Sequence, residues 1–307
     1  MIGVPSAIPT PPRVPQRMTP ARQLREIVSE QTIQVPGAPF ALAARLIEQC
    51  GYDAVYLSGA ALSAGLLGLP DLGLVTLTEL VEQTRCLTRV CGLPLIVDAD
   101  TGFGDLLNVE RTVSELEAAG AAAIQIEDQE FPKRCGHREG KRLVPPEVMC
   151  AKLRAAAAAR SDRETILIAR TDARGVSGLE DAVARARAYL AAGADWIFPE
   201  ALRTPEEFAA FAREIEAPLV ANMTEFGQSP LLTLDELADM GYAVVLYPVT
   251  LLRVAMKAAE AALHLMATEG TQRELLDLMQ TRDELYELLD YPAFESRARA
   301  AEQASDG

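Results

Sequence analysis

Short apolar segments rich in β-branched residues recur eight times along the chain, and each is followed by a stretch of helical length. The segments are continuously apolar, which is typical of strands buried on both faces of a parallel sheet. Glycines stand at the joints between helix and strand, where a left-handed residue commonly ends a helix. Eight strands alternating with helices over roughly 240 residues predict a (β/α)8 TIM-type barrel. The predicted strands are 32–35, 54–57, 95–97, 123–126, 166–169, 196–198, 219–221 and 243–247, and the joint glycines are Gly51, Gly120, Gly193 and Gly241.

An open, doubly wound α/β sheet is the structural alternative to a barrel. Such a sheet would place a glycine-rich phosphate-binding turn after its first strand. Residues 35–39 read Val-Pro-Gly-Ala-Pro and contain no G-x-G-x-x-G pattern, so the barrel is favoured. We therefore divide the chain into an N-terminal arm at 1–20, a barrel at 21–269 and a C-terminal helical segment at 270–307.

The two ends of the chain differ from the barrel in composition. Six prolines lie within residues 1–20 and no apolar core accompanies them, so we expect a loose arm rather than a signal peptide. The C-terminal segment carries an apolar stripe at helical spacing. This stripe predicts a helix that either caps its own barrel or is packed on, or exchanged with, a neighbouring subunit. Its residues are Leu275, Leu276, Leu278, Met279, Leu285, Leu288 and Leu289.

Charge and cysteine content narrow the class of protein. The chain has 29 Lys and Arg residues against 44 Asp and Glu residues, a net charge of −15. This surplus argues against nucleic acids and anionic membranes as partners, although a local group of Arg and Lys can still bind a small anion. Five cysteines without a C-x-x-C pair indicate neither a zinc site nor a disulfide framework. No apolar run reaches the ~20 residues of a membrane-spanning helix, and we expect a reduced, cytoplasmic protein.

Polar residues follow six of the eight predicted strands. In a barrel, the residues that end each strand line one rim, and active sites lie at that rim. Any one of these residues can instead be a loop residue or a helix N-cap. The set as a whole predicts an active site, and it comprises Ser58, Asp98 with Asp100, Glu127 with Asp128, Arg170 with Asp172, Glu200, and Asn222 with Thr224.

Asp98 and Asp100 follow the third strand as an Asp-Ala-Asp sequence. Residues i and i+2 of an extended segment point to the same side, so the two carboxylates converge. Two bare carboxylates repel each other unless a cation lies between them. Hard oxygen ligands without nearby Cys or His pairs suit Mg²⁺ or Mn²⁺, with water or substrate completing the coordination. The pair therefore predicts a divalent metal site.

The loop after the fourth strand, residues 130–142, holds six basic residues in an acidic protein. Cys135 lies among Lys133, Arg134 and His137, a cationic setting that favours the thiolate and suits the side chain to proton transfer. The glycines of the loop allow it to move. We predict a mobile loop with a catalytic cysteine; a solvated basic loop with an incidental thiol is the alternative.

Residues 133–137, Lys-Arg-Cys-Gly-His, resemble the signature of the isocitrate lyase and 2-methylisocitrate lyase group within the phosphoenolpyruvate mutase superfamily. The similarity extends from Arg22 to Glu295. The compact length resembles the bacterial methylisocitrate lyases, because isocitrate lyases carry extra insertions. Further family motifs occur in order at 56–59, 68–73, 97–104, 126–129, 169–172, 198–201 and 222–227.

The resemblance implies roles for particular residues. Asp98 and Asp100 would hold Mg²⁺, with Mn²⁺ as a substitute. The oxoacid end of the substrate would lie against Ser58, Gly59 and Ala60. Cys135 and Gly136 would close over the succinate half, with Lys133, Arg134 and His137 adjusting the charge of the thiol. The residues that would contact carboxylates or order the site are Arg170, Glu200, Asn222, Thr224, Arg253 and Arg282.

The activity implied by the resemblance is cleavage of 2-methylisocitrate, a tricarboxylate, to pyruvate and succinate by a homotetramer that exchanges a C-terminal helix. Cleavage of isocitrate to glyoxylate and succinate is one alternative, and a phosphonate mutase or oxoacid hydrolase is another. A catalytically silent barrel that serves assembly is the third. The chain departs from many family members at Ala60-Ala61, where they carry glycine, and we expect the added methyl groups to narrow the pocket.

Overall fold

The computed structural model of the protein describes residues 18–305. Within that range eight strands alternate with helices, and each strand lies within two residues of its predicted bounds. All but residues 18–20 of the predicted N-terminal arm lies outside the described residues. The strands are β1 (Ile33–Pro36), β2 (Val55–Leu57), β3 (Leu95–Asp98), β4 (Ala123–Glu127), β5 (Ile166–Thr171), β6 (Trp196–Pro199), β7 (Val220–Asn222) and β8 (Val244–Tyr247).

The eight strands close into a ring. A five-stranded parallel sheet contains β2 to β6 in sequential order, and a three-stranded parallel sheet has the order β1-β8-β7. Single parallel bridges join the two sheets at both seams, between Gly37 and Tyr56 and between Ile197 and Leu219. Every strand therefore has a neighbour on each side, and the predicted (β/α)8 barrel is confirmed.

The helices begin and end where local sequence signals place them. Capping boxes of Thr and Glu begin three helices, those that start at Leu77, Leu234 and Arg282. The four predicted joint glycines have φ between 81° and 109°, the left-handed region that ends a helix. The helices are α1 (Pro20–Glu30), α2 (Ala41–Gln49), α3 (Gly59–Leu67), α4 (Leu77–Thr88), α5 (Leu106–Ala118), α6 (Pro146–Ala159), α7 (Leu179–Ala191), α8 (Pro205–Glu214), α9 (Leu234–Asp239), α10 (Thr250–Glu269), α11 (Arg282–Leu288) and α12 (Tyr291–Ser305), with 3₁₀ turns at Ala173–Gly175 and Arg273–Leu278.

Apolar side chains on the two faces of the barrel wall form two buried clusters. Ile96, Ile168 and Phe198 belong to the cluster inside the barrel, which Leu24 of α1 joins. Alternate strand residues such as Val97 pack outward with the surrounding helices. Both faces of the strands are thus apolar along their length, and the polar residues that end the strands are left to line the mouth of the barrel.

The C-terminal segment docks only in part on its own barrel. Leu275 and Leu288 are buried, and Arg45 of α2 donates a hydrogen bond to the carbonyl of Leu288 at 3.1 Å. The last helix of the barrel, α10, which precedes this segment, has no buried residue, and its Val254 and Leu263 are exposed. Among residues 18–305, no helix combines the length and the apolar character needed to cross a membrane.

Candidate active site

A cavity lies at the carboxyl-terminal ends of the strands, where barrel enzymes place their active sites. It is bounded on one side by residues 131–142, the loop between β4 and α6, which is called the flap below. The lining residues come from both the barrel and the flap: Tyr56, Ser58, Ala60, Asp71, Asp98, Lys133, Cys135, Gly136, His137, Arg170, Phe198, Glu200, Asn222, Thr224, Leu246, Pro248, Val249 and Arg253.

Asp98 ends β3, and its carboxylate is fixed by three donors. Oδ2 accepts a hydrogen bond from the backbone N–H of Gly59 at 3.2 Å. Oδ1 accepts from Gln125 Nε2 at 3.0 Å and from the backbone N–H of Asp100 at 3.2 Å. Gly59 is the first residue of α3, so the positive end of that helix faces the carboxylate. The orientation of Asp98 is therefore set before any ligand binds.

Asp100 brings a second carboxylate to the same place. Its backbone is left-handed, with φ of 47°. A Cβ atom added to Gly59 would lie 3.2 Å from Asp100 Oδ1 and 3.3 Å from Asp98 Oδ2, so the two carboxylates converge there. Burial raises the pKa of Asp100 to about 6, against the opposing effect of the Lys133 ammonium. That ammonium lies 2.7 Å from Asp100 Oδ1 and also pairs with Asp71.

The donor set at this end of the cavity suits a divalent cation. Asp100 Oδ1 lies within ion-pairing distance of Lys133, but it and Glu127 Oε1 are buried without a hydrogen-bond partner in the described part of the chain. Residues 18–305 contain no group of three or more His, Cys, Asp or Glu side chains arranged to hold a metal. A cation on Asp98 and Asp100 would thus need water and substrate oxygens as further ligands, an arrangement that Mg²⁺ commonly adopts.

Arg170 and Glu200 form a buried ion pair on the other side of the cavity. Arg170 Nη1 lies 3.3 Å from Glu200 Oε2, and the guanidinium also bonds to Asp172 and lies over the ring of Phe198. Burial alone would raise the pKa of Glu200, but the charge of Arg170 and the hydrogen bond from His137 hold it below its ordinary value. The cavity therefore has a fixed cation next to an ionised carboxylate.

His137 docks the flap onto the barrel rim. Its Nε2 lies 2.8 Å from Glu200 Oε1, and its Nδ1 accepts a hydrogen bond from the backbone N–H of Gln228 at 2.9 Å. The other ring nitrogen, Nε2, is therefore the one that faces the Glu200 carboxylate as a donor. His137 thereby joins the flap to Glu200 of β6 and to the loop that follows β7.

Cys135 and Gly136 lie at the part of the flap that faces the cavity. Cys135 is half-buried, and Gly136 is buried against Arg170 and Glu200. At the base of the flap, the side-chain amide of Gln129 exchanges two hydrogen bonds with the backbone of Arg134, at 2.8 and 2.9 Å. The flap thus places the thiol and the carboxylate of Asp98 in one cavity.

The structure brings most of the predicted site residues together. Of the two alanines that replace glycine, only Ala60 faces the cavity, whereas Ala61 is buried in the core. Two further predicted residues, Gly59 and Asp100, donate backbone hydrogen bonds to the carboxylate of Asp98. The predicted residues that line the cavity are Ser58, Ala60, Asp98, Lys133, Cys135, Gly136, His137, Arg170, Glu200, Asn222, Thr224 and Arg253.

Three predicted residues occupy positions that differ from expectation. The ammonium of Lys133 pairs with the carboxylates of Asp71 and Asp100. Arg134 is exposed, outside the residues that line the cavity. Arg282 is also exposed, in the first turn of α11, and is not among the lining residues.

Four polar residues at the site were not among the predicted site residues. Asp71 pairs with Lys133, Gln125 orients Asp98, and Gln228 holds His137. Lys141 bonds to the carbonyl of Gly136 and to Asp172. Asp71 lies within the family motif at 68–73, which is the one signal that could have found it, whereas Gln125 lies one residue before the motif at 126–129. Lys141 is one of the six basic residues of the loop at 130–142, but nothing in the sequence separates it from the other five, or Gln228 from ordinary surface residues.

Comparison with known proteins gives the family to which this fold belongs. The sequence model of the family described as phosphoenolpyruvate phosphomutase matches residues 24–267. The chain belongs to this family, the phosphoenolpyruvate mutase and isocitrate lyase superfamily.

Similarity to individual proteins is high over nearly the whole chain. The chain is 53% identical to the 2-methylisocitrate lyase of Aeropyrum pernix over 91% of its own length and 90% of that protein's. It is 49% identical to the 2-methylisocitrate lyase of Bacillus subtilis, over 90% and 91% of the two lengths. Among solved structures, phosphonopyruvate hydrolase in complex with oxalate and Mg²⁺ aligns with a TM-score of 0.83 and 34% identity, over 93% of this chain and 99% of that one.

Proposed function

We propose that the protein is a lyase that cleaves 2-methylisocitrate into pyruvate and succinate. Relatives 49% and 53% identical to the chain are named for this activity. The observation that carries the proposal is that Cys135 of the flap and Asp98 of β3 line one cavity. A proton donor and an oxygen ligand for a cation are two of the elements that this cleavage needs, beside the base that takes the hydroxyl proton.

The reaction breaks the bond between the carbon that carries the hydroxyl and its neighbour in the succinate half. A base takes the proton of the hydroxyl, whose oxygen becomes the keto oxygen of pyruvate, while the electrons of the broken bond remain on the succinate carbon. That carbon then gains a proton. A protein that catalyses this cleavage must stabilise negative charge on oxygen first and supply a proton to carbon afterwards.

Cys135 is the proposed proton donor. Its thiol would give its proton to the succinate carbon and become a thiolate. The side chain is half-buried under the flap, and a seated flap keeps water from that carbon. His137 would hold the flap in this position through its contacts with Glu200 and Gln228. Lys133 would offset the negative charge of Asp71 and Asp100.

Asp98 and Asp100 would hold Mg²⁺, and Mn²⁺ suits the same oxygen ligands. When bound, such a cation supplies positive charge to the oxygens of the oxoacid half. Ser58, Gly59 and Ala60 would face this half from the N-terminal end of α3.

The carboxylates of the succinate half would bind on the other wall. Arg170 supplies a buried cation there, and Glu200 fixes its guanidinium. Asn222 and Thr224 line the same wall, and Arg253 is held at the rim by Glu225 at 2.8 Å. Arg282 remains a predicted contact on the basis of the resemblance alone.

We further propose a cytoplasmic homotetramer in which the C-terminal helices are exchanged. Support comes from the C-terminal segment, whose Leu276, Leu278 and Phe294 are exposed in the single chain. The adjoining barrel helix, α10, likewise has no buried residue among its twenty. Val254, Met256 and Leu263 of this helix are exposed, and a neighbouring copy would cover them. The mass of the protein in solution tests whether it is a tetramer.

The substrate is tested by an assay that follows oxoacid and succinate release from 2-methylisocitrate and isocitrate side by side, with and without EDTA. We expect faster turnover of 2-methylisocitrate and loss of activity with EDTA. Equal or faster turnover of isocitrate would overturn the substrate assignment while leaving the lyase chemistry in place.

A further inference from the structure

Lys141 is a buried lysine of the flap to which the proposed chemistry gives no role. Its side chain is 3% exposed. The ammonium lies 2.8 Å from Asp172 Oδ1 and also donates a hydrogen bond to the carbonyl of Gly136. Burying a charged group is unfavourable unless partners compensate it, and here one partner belongs to the barrel and the other to the flap.

The barrel partner of Lys141 is rigidly held. Asp172 follows β5 and accepts hydrogen bonds from Arg170 Nε at 3.0 Å and Nη2 at 3.2 Å. Its backbone N–H donates to Asp128 at 2.9 Å, and Asp128 is itself buried and bonded to Tyr189. Asp172 is therefore part of the fixed wall that also orients Arg170.

The flap partner of Lys141 is next to the thiol. Gly136 follows Cys135 directly, so a hydrogen bond to the Gly136 carbonyl restrains the backbone that carries the thiol. If the flap lifts, Lys141 must give up either Asp172 or Gly136. The buried ammonium thus favours the seated flap over the lifted one.

We propose that Lys141 is the positioning residue for Cys135, acting through the Gly136 carbonyl with Asp172 as its anchor. The role in turnover rests on the proposed function, whereas the restraint on the flap does not. Lys141 touches no reacting atom in this assignment. It sets where the thiol lies above the succinate half.

Hydrogen exchange followed by mass spectrometry tests the restraint without any substrate. Two flap amides should exchange slowly while the flap is seated, because both are hydrogen-bonded. Arg134 N–H donates to Gln129, and Arg138 N–H donates to the Cys135 carbonyl. In Lys141→Met we expect exchange of the peptide that covers the flap to speed up at least about tenfold, with peptides from β4 unchanged. The matched control is Arg142→Met, since Arg142 is adjacent on the flap but forms an exposed pair with Glu130.

Steady-state kinetics test the consequence for turnover. A displaced thiol should lower kcat by about a hundredfold in Lys141→Met and change KM by less than about threefold, because substrate binding uses other residues. Arg142→Met should keep both values within about twofold of the wild type. If the thermal midpoint shows that Lys141→Met does not fold, Lys141→Gln carries the same expectations, because it removes the charge that pairs with Asp172.

The proposal would be overturned if the flap peptide of the Lys141 variant exchanged its hydrogens at the wild-type rate. It would also be overturned by a normal kcat in a variant whose flap has become mobile. A wild-type protein without lyase activity would refute the proposed function and leave the hydrogen-exchange result as the test of the flap restraint.

Discussion

Gly136 of the flap lies in direct contact with Glu200 of the barrel wall. A Cβ atom at position 136 would lie 2.5 Å from Glu200 Cγ and closer still to Arg170 Nη2. Backbone and side chain are packed so closely there that only glycine fits when the flap is seated. The flap is thus fitted to the ion pair that forms one wall of the cavity.

Gly136→Ala should prevent the flap from seating. We expect kcat/KM to fall by about a hundredfold, since a small misplacement of a catalytic group has effects of this size. Thermal stability should be unchanged, because the barrel core is not touched. Glu139→Ala, at an exposed flap position, is the control and should behave as the wild type. Normal kinetics in Gly136→Ala would refute the contact between the seated flap and the wall.

Asp98→Asn should remove the response of the protein to Mg²⁺. A ligand that binds only the folded state raises the thermal midpoint, so Mg²⁺ should raise it in the wild type. The response should be much smaller in Asp98→Asn, because a neutral amide is a weaker ligand for a hard cation. Asp239→Asn, at the exposed end of α9, is the control. An unchanged Mg²⁺ response in Asp98→Asn would remove this residue from the metal site.

Glu200 connects the ion pair to the pH dependence of stability. The pKa of this carboxyl in the folded protein lies below its ordinary value of 4.5; burial opposes this, but Arg170 and His137 prevail. Because unfolding restores the ordinary pKa, the stability contributed by Glu200 is present above pH 4.5 and is lost as the pH falls below it. The free energy of unfolding, measured in urea at about pH 6 and about pH 3.5, should therefore fall less between these two values in Glu200→Gln than in the wild type. Equal losses in the two proteins would contradict this assignment.

Substitution of Asp195 should affect the stability of the protein and leave its activity unchanged. It accepts hydrogen bonds from Arg25 at 2.9 Å and from Arg160 at 2.7 Å, and it also receives the backbone N–H of Leu167. It immediately precedes β6, at the end of the barrel opposite the candidate site. Asp195→Ala should lower the free energy of unfolding by about 1–3 kcal/mol, because it leaves these donors without their acceptor. Its kcat at 25 °C should match the wild type, and a tenfold loss would show that this end of the barrel influences the site.

The barrel was predictable because its signals are local. Continuously apolar strands, Thr-x-x-Glu helix starts and a glycine such as Gly51 at each joint are all read within a few residues. The polar residues at the strand ends converge for the same reason, since parallel strands bring their carboxyl ends to one rim. The position of Asp98 and Glu200 at this rim could therefore be predicted from the sequence.

The contacts across the flap were not predictable, because they depend on how a long loop folds back. Neighbouring residues in the flap point in different directions: Lys133 reaches inward to Asp71 and Asp100, whereas Arg134 is exposed. Because Lys133 and Arg134 are close to Cys135 in the sequence, both were expected to lie beside its thiol. The partner that donates to Nδ1 of His137 is 91 residues away, at Gln228, and no local pattern links them.

The central claim, that Cys135 delivers the proton to the succinate half, is tested most directly by Cys135→Ser with Cys86→Ser as the control. Cys86 is exposed on α4 and should tolerate serine without effect. Serine keeps the size of the side chain but is a far weaker acid, so we predict that kcat falls by about a thousandfold in Cys135→Ser while succinate binds with unchanged affinity. A kcat close to that of the wild type would contradict the role assigned to the thiol.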